Sequence, residues 1–139
     1  MQNIGEAEYL GAEVGLEYAI LTSLKIGANY TFVKRNNLTN PKVKFTDVPQ
    51  SKLFGFLQYQ WSNRLSIQAN TEYNSKRYST TYDTISGSFV LLNTSAMVHI
   101  WKYFSIEGRI NNIADRNYTL VEGYAEPGRN YFANLVYRL

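Results

Sequence analysis

The sequence predicts an all-β protein: an antiparallel, up-and-down transmembrane β-barrel segment of about seven strands, part of a larger barrel. Three observations predict it. Apolar and polar residues alternate with a period of two in segment after segment, which sorts them onto opposite faces of strands. Short turns and long polar loops alternate between the segments, as in outer-membrane barrels whose short side is periplasmic. Aromatic residues gather at segment ends, where an apolar ring with a polar tip suits the membrane–water boundary.

Residues 10–18 set Leu10, Ala12, Val14, Leu16 and Tyr18 against Gly11, Glu13, Gly15 and Glu17. Residues 25–33 set Ile26, Ala28, Tyr30 and Phe32 against Lys25, Gly27, Asn29 and Thr31. Residues 52–61 offer Leu53, Leu57, Tyr59 and Trp61, with Phe54 and Phe56 interrupting the polar face. Residues 65–73 oppose Leu65, Ile67, Ala69 and Tyr73 to Ser66, Gln68, Asn70 and Glu72. Residues 90–100 carry Val90, Leu92, Ala96, Val98 and Ile100, against Asn93, Ser95 and His99 but also Leu91 and Met97. Residues 104–111 set Phe104, Ile106 and Ile110 against Ser105, Glu107, Arg109 and Asn111. The last segment sets Tyr131, Ala133, Leu135, Tyr137 and Leu139 against Asn130, Asn134 and Arg138.

Short turns are expected at 19–24, 61–64 and 101–103, and long loops at 34–51, 74–88 and 112–129. Pro41, Pro49 and Pro127 all fall between strands, as the hydrogen-bond ladder requires. Alternation alone leaves a soluble barrel or sandwich open as well. The membrane reading rests on strand length, about nine to eleven residues, which suffices to cross a bilayer when tilted. It rests also on the aromatic strand ends and the segregated connections. Seven strands do not close a bacterial barrel, and an open edge cannot face lipid, so further strands are expected from a longer parent chain.

Only 18% of the 139 residues are charged, low for a soluble surface, whereas 15% are aromatic, with 12 Tyr. The net charge of +3 is spread, with small pairs at Lys34-Arg35 and Lys76-Arg77 and no long basic run, so a nucleic-acid partner is not expected. The lack of Cys excludes disulfides, thiolate metal sites and cysteine nucleophiles. No apolar run reaches the ~18 residues of a membrane helix. A mean hydropathy of −0.32 is no objection, since only half of each strand need be apolar. The residues after Met1 lack the pattern of a signal peptide, and Met1 is expected to be an artificial or misassigned start of a fragment.

Glu13, Glu17, Glu72, Glu107 and Arg109 all fall on the polar face. Paired carboxylates can be catalytic, but a salt-bridged lumen wall accounts for these by alternation alone. His99 is the only histidine, so neither a histidine metal cluster nor a serine–histidine site is expected. Gly27, Gly55 and Gly108 lie within strands and form no phosphate loop; bending or close packing is their expected role. No catalytic residue, resident metal or cofactor is assigned.

The closing stretch carries a resemblance. Asn111-Asn112, Asp115 and Tyr118, then Gly123-Tyr124 and Pro127-Gly128-Arg129 opening the last strand, resemble the end of TonB-dependent outer-membrane receptors. In that family an Asn-Asn-Leu-Phe-Asp-x-x-Tyr pattern follows the penultimate strand; here Ile113-Ala114 replaces Leu-Phe, and Leu139 stands where a terminal aromatic is usual. Asn3-Ile4-Gly5-Glu6-Ala7 leading to Gly11-Ala12-Glu13, and Val48-Pro49-Gln50-Ser51-Lys52 entering a strand that ends Gln58-Tyr59, look like further pieces of the same pattern.

The resemblance implies that residues 1–139 are the C-terminal portion of a receptor barrel, without plug domain or TonB box. Its place would be the outer membrane of a Gram-negative bacterium. Its partners would be lipid, the plug and other strands in the remainder of the chain, TonB acting through the plug, and a nutrient ligand. Such receptors import ferric siderophores, haem or cobalamin, and the spacing from Tyr118 to Tyr131 looks somewhat like that of cobalamin receptors. Cations and aromatics suit anionic, planar ligands, which makes Lys76, Arg77, Tyr78 and Tyr82 in one loop, and Tyr124 and Arg129 in another, the candidate ligand residues. A small self-contained outer-membrane or lipocalin-like barrel is the alternative. An outer-membrane phospholipase is a third reading, requiring a Ser/His pair on facing strands.

Overall fold

The computed structural model describes residues 5–80 and 84–138. It contains eleven strands: β1 Ala7–Leu21, β2 Leu24–Asn37, β3 Ser51–Ser62, β4 Leu65–Asn74, β5 Arg77–Tyr78, β6 Ile85–Ser86, β7 Phe89–Trp101, β8 Phe104–Asn111, β9 Thr119–Val121, β10 Tyr124–Ala125 and β11 Asn130–Tyr137. Seven of them form one antiparallel sheet in the order β1-β2-β3-β4-β7-β8-β11, so every long strand pairs with its neighbours in sequence. The pairs β5–β6 and β9–β10 are small hairpins inside the second and third long loops.

The register keeps the predicted faces in phase across the whole sheet. Tyr18, Ile26, Leu57, Ala69, Thr94, Ile110 and Tyr131 stand in one row, one residue from each strand. On the opposite face Glu17, Gly27, Phe56, Asn70 and Asn93 form another. A slip of one residue in any pair would carry apolar side chains onto the polar face, so the alternation itself specifies the register.

The molecule has almost no interior of its own. Its accessible surface is 10116 Å², whereas a compact monomer of 16.0 kDa would expose roughly 7,400 Å². Phe89 is the buried apolar side chain among the described residues, and the outward row lies open, with Leu16 74% exposed. An apolar face of this extent is not tolerated in water but is the ordinary state of a barrel wall against lipid.

The three short turns share one construction. Each joins its strands through two residues, and each is preceded by a register shift, between Ala19 and Leu21, Gln60 and Ser62, and His99 and Trp101. The extra residues are Ile20, Trp61 and Ile100, all apolar and exposed. Trp101 is exposed beside the third turn, so both tryptophans sit at this end, as an interfacial girdle requires.

The polar face is a ladder of paired side chains. Glu13 accepts from Asn29 Nδ2 at 2.9 Å, Lys25 meets Glu17 at 2.7 Å, and Lys52 meets Glu72 at 3.6 Å. Arg109 meets Glu107 at 2.8 Å, and Asn93 Nδ2 donates to Asn70 at 2.8 Å. These are the carboxylates that the sequence places on a salt-bridged wall.

Two expectations need correction. Strand β1 starts before residue 10 and β2 runs beyond residue 33, because Glu8 and Asn36 continue the pairing, Asn36 Nδ2 donating to the Glu8 carboxylate at 2.7 Å, with residues that carry no hydrophobic period. A Ser/His pair on facing strands does exist: His99 Nδ1 and Ser105 Oγ lie 2.6 Å apart across β7 and β8. Ser105 is only 6% exposed, so its hydroxyl is closed to a substrate.

Candidate functional site

The long-loop end is where the sheet holds polar chemistry off the lipid. The third loop, residues 112–129, is folded by the motif that carries the resemblance. Asn112 is buried, with φ 50°, in the left-handed region that asparagine tolerates. Its N–H donates to Asn93 Oδ1 at 2.9 Å, its Nδ2 donates to the Arg116 carbonyl at 2.8 Å, and its Oδ1 accepts from Arg116 N–H at 2.8 Å. One residue thus ties the sheet, through its backbone N–H, to the loop's first turn, through its side chain. Asp115, with φ 51°, closes the far side: its Oδ1 accepts from Arg129 N–H at 2.7 Å. A Cβ at Gly128 would stand 2.7 Å from that oxygen, so the Pro-Gly-Arg step needs its glycine for space. Gly123, with φ 81°, turns the β9–β10 hairpin.

Arg77 braces the second loop to the third. It is 4% exposed, and its guanidinium lies over the Phe89 ring at 5.5 Å. Its Nε donates to the Leu120 carbonyl at 3.1 Å, and its Nη2 donates to the Thr119 carbonyl. Phe89 in turn packs on Tyr118, ring centroids 4.7 Å apart. Burial, followed by the carboxylates of Glu126 and Glu72, pushes the Tyr118 hydroxyl above the ordinary tyrosine range.

Between the first long loop and the β5–β6 hairpin lies a cavity of about 580 Å³. Lys34, Arg35, Lys44, Lys76 and Arg77 line it, together with Phe45 and Tyr78, and no described carboxylate does. Arg35 donates to the Val48 carbonyl at 2.6 Å and stands over Phe45 at 5.6 Å; Lys44 donates to the Pro41 carbonyl at 3.2 Å and stands over Tyr78 at 5.9 Å. The Asp47 N–H donates to the Tyr78 carbonyl at 2.9 Å and joins the two loops at the rim.

The structure therefore brings Lys76, Arg77 and Tyr78 to one cavity. Tyr124, exposed on β10, and Arg129, beside Asp115 at 4.0 Å, belong to the third loop and do not line it. Tyr82 lies outside the described residues. The cavity's other wall, Lys34, Arg35, Lys44 and Phe45, is absent from the sequence-based candidates. Its signal was the Lys34-Arg35 pair, which alternation beyond Val33 would have carried onto the end of β2. No group of three or more potential metal ligands of the His, Cys, Asp or Glu type occurs among the described residues.

An antiparallel sheet in sequence order, apolar outside and salt-bridged inside, is the wall of an outer-membrane β-barrel. No family profile matches the chain. It is 27% identical over 143 residues to the iron-regulated outer membrane virulence protein of Vibrio cholerae serotype O1, a match that takes in 96% of this chain and 22% of that protein. Among solved structures it superimposes on the siderophore receptor PiuA of Acinetobacter baumannii with a TM-score of 0.80 at 21% identity, covering 94% of this chain and 22% of PiuA. The copper transporter OprC gives a TM-score of 0.83 at 17% identity, with 94% and 23% covered. A variant of the ferric enterobactin receptor PfeA of Pseudomonas aeruginosa gives 0.79 at 19% identity, with 97% and 23% covered.

The chain has the fold of these receptors: it superimposes on a stretch of their barrel wall. The likeness to TonB-dependent receptors read from the closing motif is borne out at this level. The neighbours are receptors and transporters rather than enzymes. The chain spans 22% of the length of the curated relative it matches.

Proposed function

We propose that the chain is the C-terminal portion of a TonB-dependent receptor that imports a scarce nutrient such as a ferric siderophore, haem or cobalamin. The observation that carries this reading is the continuous seven-strand wall, lipid-facing on one side, whose course matches siderophore-receptor barrels over 94% of its length. The chain's own part is architectural and, at its loops, recognitive; it supplies no catalytic group.

The remainder of the receptor supplies the other strands, which pair with the open edges of β1 and β11, and a plug that packs on the polar face. A recess of about 360 Å³ near the short turns, lined by Lys25, Gln58, Gln60, Gln68, Met97 and Glu107, suits such packing. TonB acts on the plug. The nutrient meets the long loops, where Lys76, Arg77, Tyr78, Tyr124 and Arg129 are offered for contact.

The test is uptake by cells carrying the full receptor gene. Iron-starved cells should accumulate radiolabelled iron from at least one chelate only when both the receptor and TonB are intact. Accumulation indifferent to the loss of either gene rules the reading out.

A further inference from the structure

We propose that the rim at the β7–β8 turn holds the headgroup of an anionic phospholipid, so that the receptor selects such lipids in the leaflet its short turns meet. This rests on lipid covering the apolar face and goes beyond the receptor reading above, which asks only that the surrounding lipid be apolar.

The first observation is an aromatic seat on the outward side of the turn. Phe104 and Tyr137 are register partners in the outward row, with ring centroids 4.9 Å apart. The Tyr103 ring meets Tyr137 edge-on at 6.2 Å, so it borders the same face. Trp101, paired with Phe104 across the turn, is 78% exposed, and the bulge residue Ile100 beside it is exposed too. Rings with a polar tip suit the level where acyl chains give way to headgroups.

The second observation is the charge that stands on this seat. Lys102 Nζ lies over the Tyr103 ring at 5.0 Å, a contact that holds the ammonium beside the outward face while its charge stays available. Arg64 is exposed in the neighbouring short turn, which is tied to β7 by the His99 N–H donating to the Arg64 carbonyl at 2.7 Å. The three short turns, Thr22-Ser23, Asn63-Arg64 and Lys102-Tyr103, hold no carboxylate. The strand carboxylates toward this end, Glu17 and Glu107, lie on the opposite, polar face and are paired with Lys25 and Arg109. The Arg138 N–H also reaches this turn, at 3.0 Å from the Tyr103 carbonyl, but alternation turns the Arg138 side chain to the polar face.

With short turns on the periplasmic side, as in outer-membrane barrels, this rim lies at the phospholipid headgroups of that leaflet. A zwitterionic headgroup carries an ammonium that offsets its own phosphate and is repelled by Lys102 and Arg64. A headgroup of net negative charge keeps its phosphate free for charge-assisted hydrogen bonds with both.

The experiment uses the full receptor in a non-ionic detergent with equal amounts of phosphatidylglycerol and phosphatidylethanolamine of matched chains, and counts the lipids each receptor retains by native mass spectrometry. Phosphatidylglycerol should be retained about tenfold over phosphatidylethanolamine, and Arg64→Gln/Lys102→Gln should bring the ratio near one. Both side chains are exposed, so the variant should fold as the parent does. Lys102→Arg should keep the preference. Lys44→Gln/Lys76→Gln, at the other end of the strands, should leave it unchanged. Equal retention of the two lipids by the unaltered receptor, or a preference that survives Arg64→Gln/Lys102→Gln, overturns the proposal. So does a preference lost in Lys44→Gln/Lys76→Gln instead, which would put the anionic lipid at the long loops. The receptor reading is scored separately. TonB-dependent uptake without any lipid preference leaves the receptor and removes the lipid site, and a preference without TonB-dependent uptake does the reverse.

Discussion

The ring of Phe56 fills the space where Gly27 lacks a side chain: a Cβ built at Gly27 would stand 2.5 Å from Cζ of Phe56. The two residues are direct partners across β2 and β3, on the polar face. Glycine weakens a strand by leaving nothing to pack, and an aromatic ring laid over it from the neighbouring strand restores the contact. Gly27→Ala should therefore destabilise the full receptor by ~1–3 kcal/mol through overpacking. Gly27→Ala/Phe56→Leu should recover most of the loss. Urea unfolding from detergent micelles measures both, and a double variant no better than the single would refute the pairing.

That pair also marks where sequence reading stops. Phe54 and Phe56 look like errors on a polar face until the register places Phe56 over Gly27 and Phe54 beside it, ring centroids 6.3 Å apart. The outward rows were legible because lipid imposes a period of two. The upper ends of β1 and β2 were not, because both their faces are polar there. Strands as short as Arg77–Tyr78 and Thr119–Val121 have no period to read. The His99–Ser105 contact depends on register, and the cationic cavity depends on how residues 38–50 fold back over β2. Asn112, Asp115 and Gly128 stood out by resemblance, but their work as a loop staple is visible only in their hydrogen bonds.

Asn112 should be the most sensitive residue of that staple. Asn112→Ala removes its three side-chain bonds and puts alanine at a positive φ, at a cost of ~2–4 kcal/mol. In the full receptor, trypsin should then cut after Arg116 far faster than in the unaltered protein. Asn112→Gly relaxes the backbone but not the bonds and should fall between the two.

Phe89 joins the second and third loops through Arg77 and Tyr118. Phe89→Ala leaves both without a packing surface, and a buried ring truncated to alanine costs ~3–5 kcal/mol in a closed core. At this partly open end the loss should be smaller and local. Hydrogen exchange should accelerate in both hairpins, β5–β6 and β9–β10, while the β1–β4 sheet keeps its protection.

Tyr118 gives the same junction an alkaline limit. Its hydroxyl is held above the ordinary range first by burial and then by Glu126 and Glu72. The folded state thus binds this proton more tightly than the unfolded state. The contribution is fully present below the ordinary tyrosine value of about 10 and is lost as pH rises through the raised value. Protection of β9–β10 from exchange should fall in that alkaline window. Tyr118→Phe, with no proton to lose, should carry the protection to higher pH, and an unchanged profile would show that Tyr118 does not set the limit.

Leu16 and Glu17 are adjacent in β1 and face opposite surroundings. Leu16 is 74% exposed in the apolar row, whereas Glu17 pairs with Lys25 at 2.7 Å on the polar face with both side chains half-open. If lipid covers the apolar row, Leu16→Arg buries a charge in hydrocarbon and costs ~2–4 kcal/mol near the midplane. Glu17→Gln breaks a solvated ion pair worth ~0–1 kcal/mol. In water the ranking reverses, because an exposed leucine replaced by arginine costs nothing. Refolding the full receptor into liposomes, with folding read from its shifted mobility on cold gels, separates the two cases. A Leu16→Arg receptor that inserts as readily as Glu17→Gln would mean that protein, not lipid, covers this face.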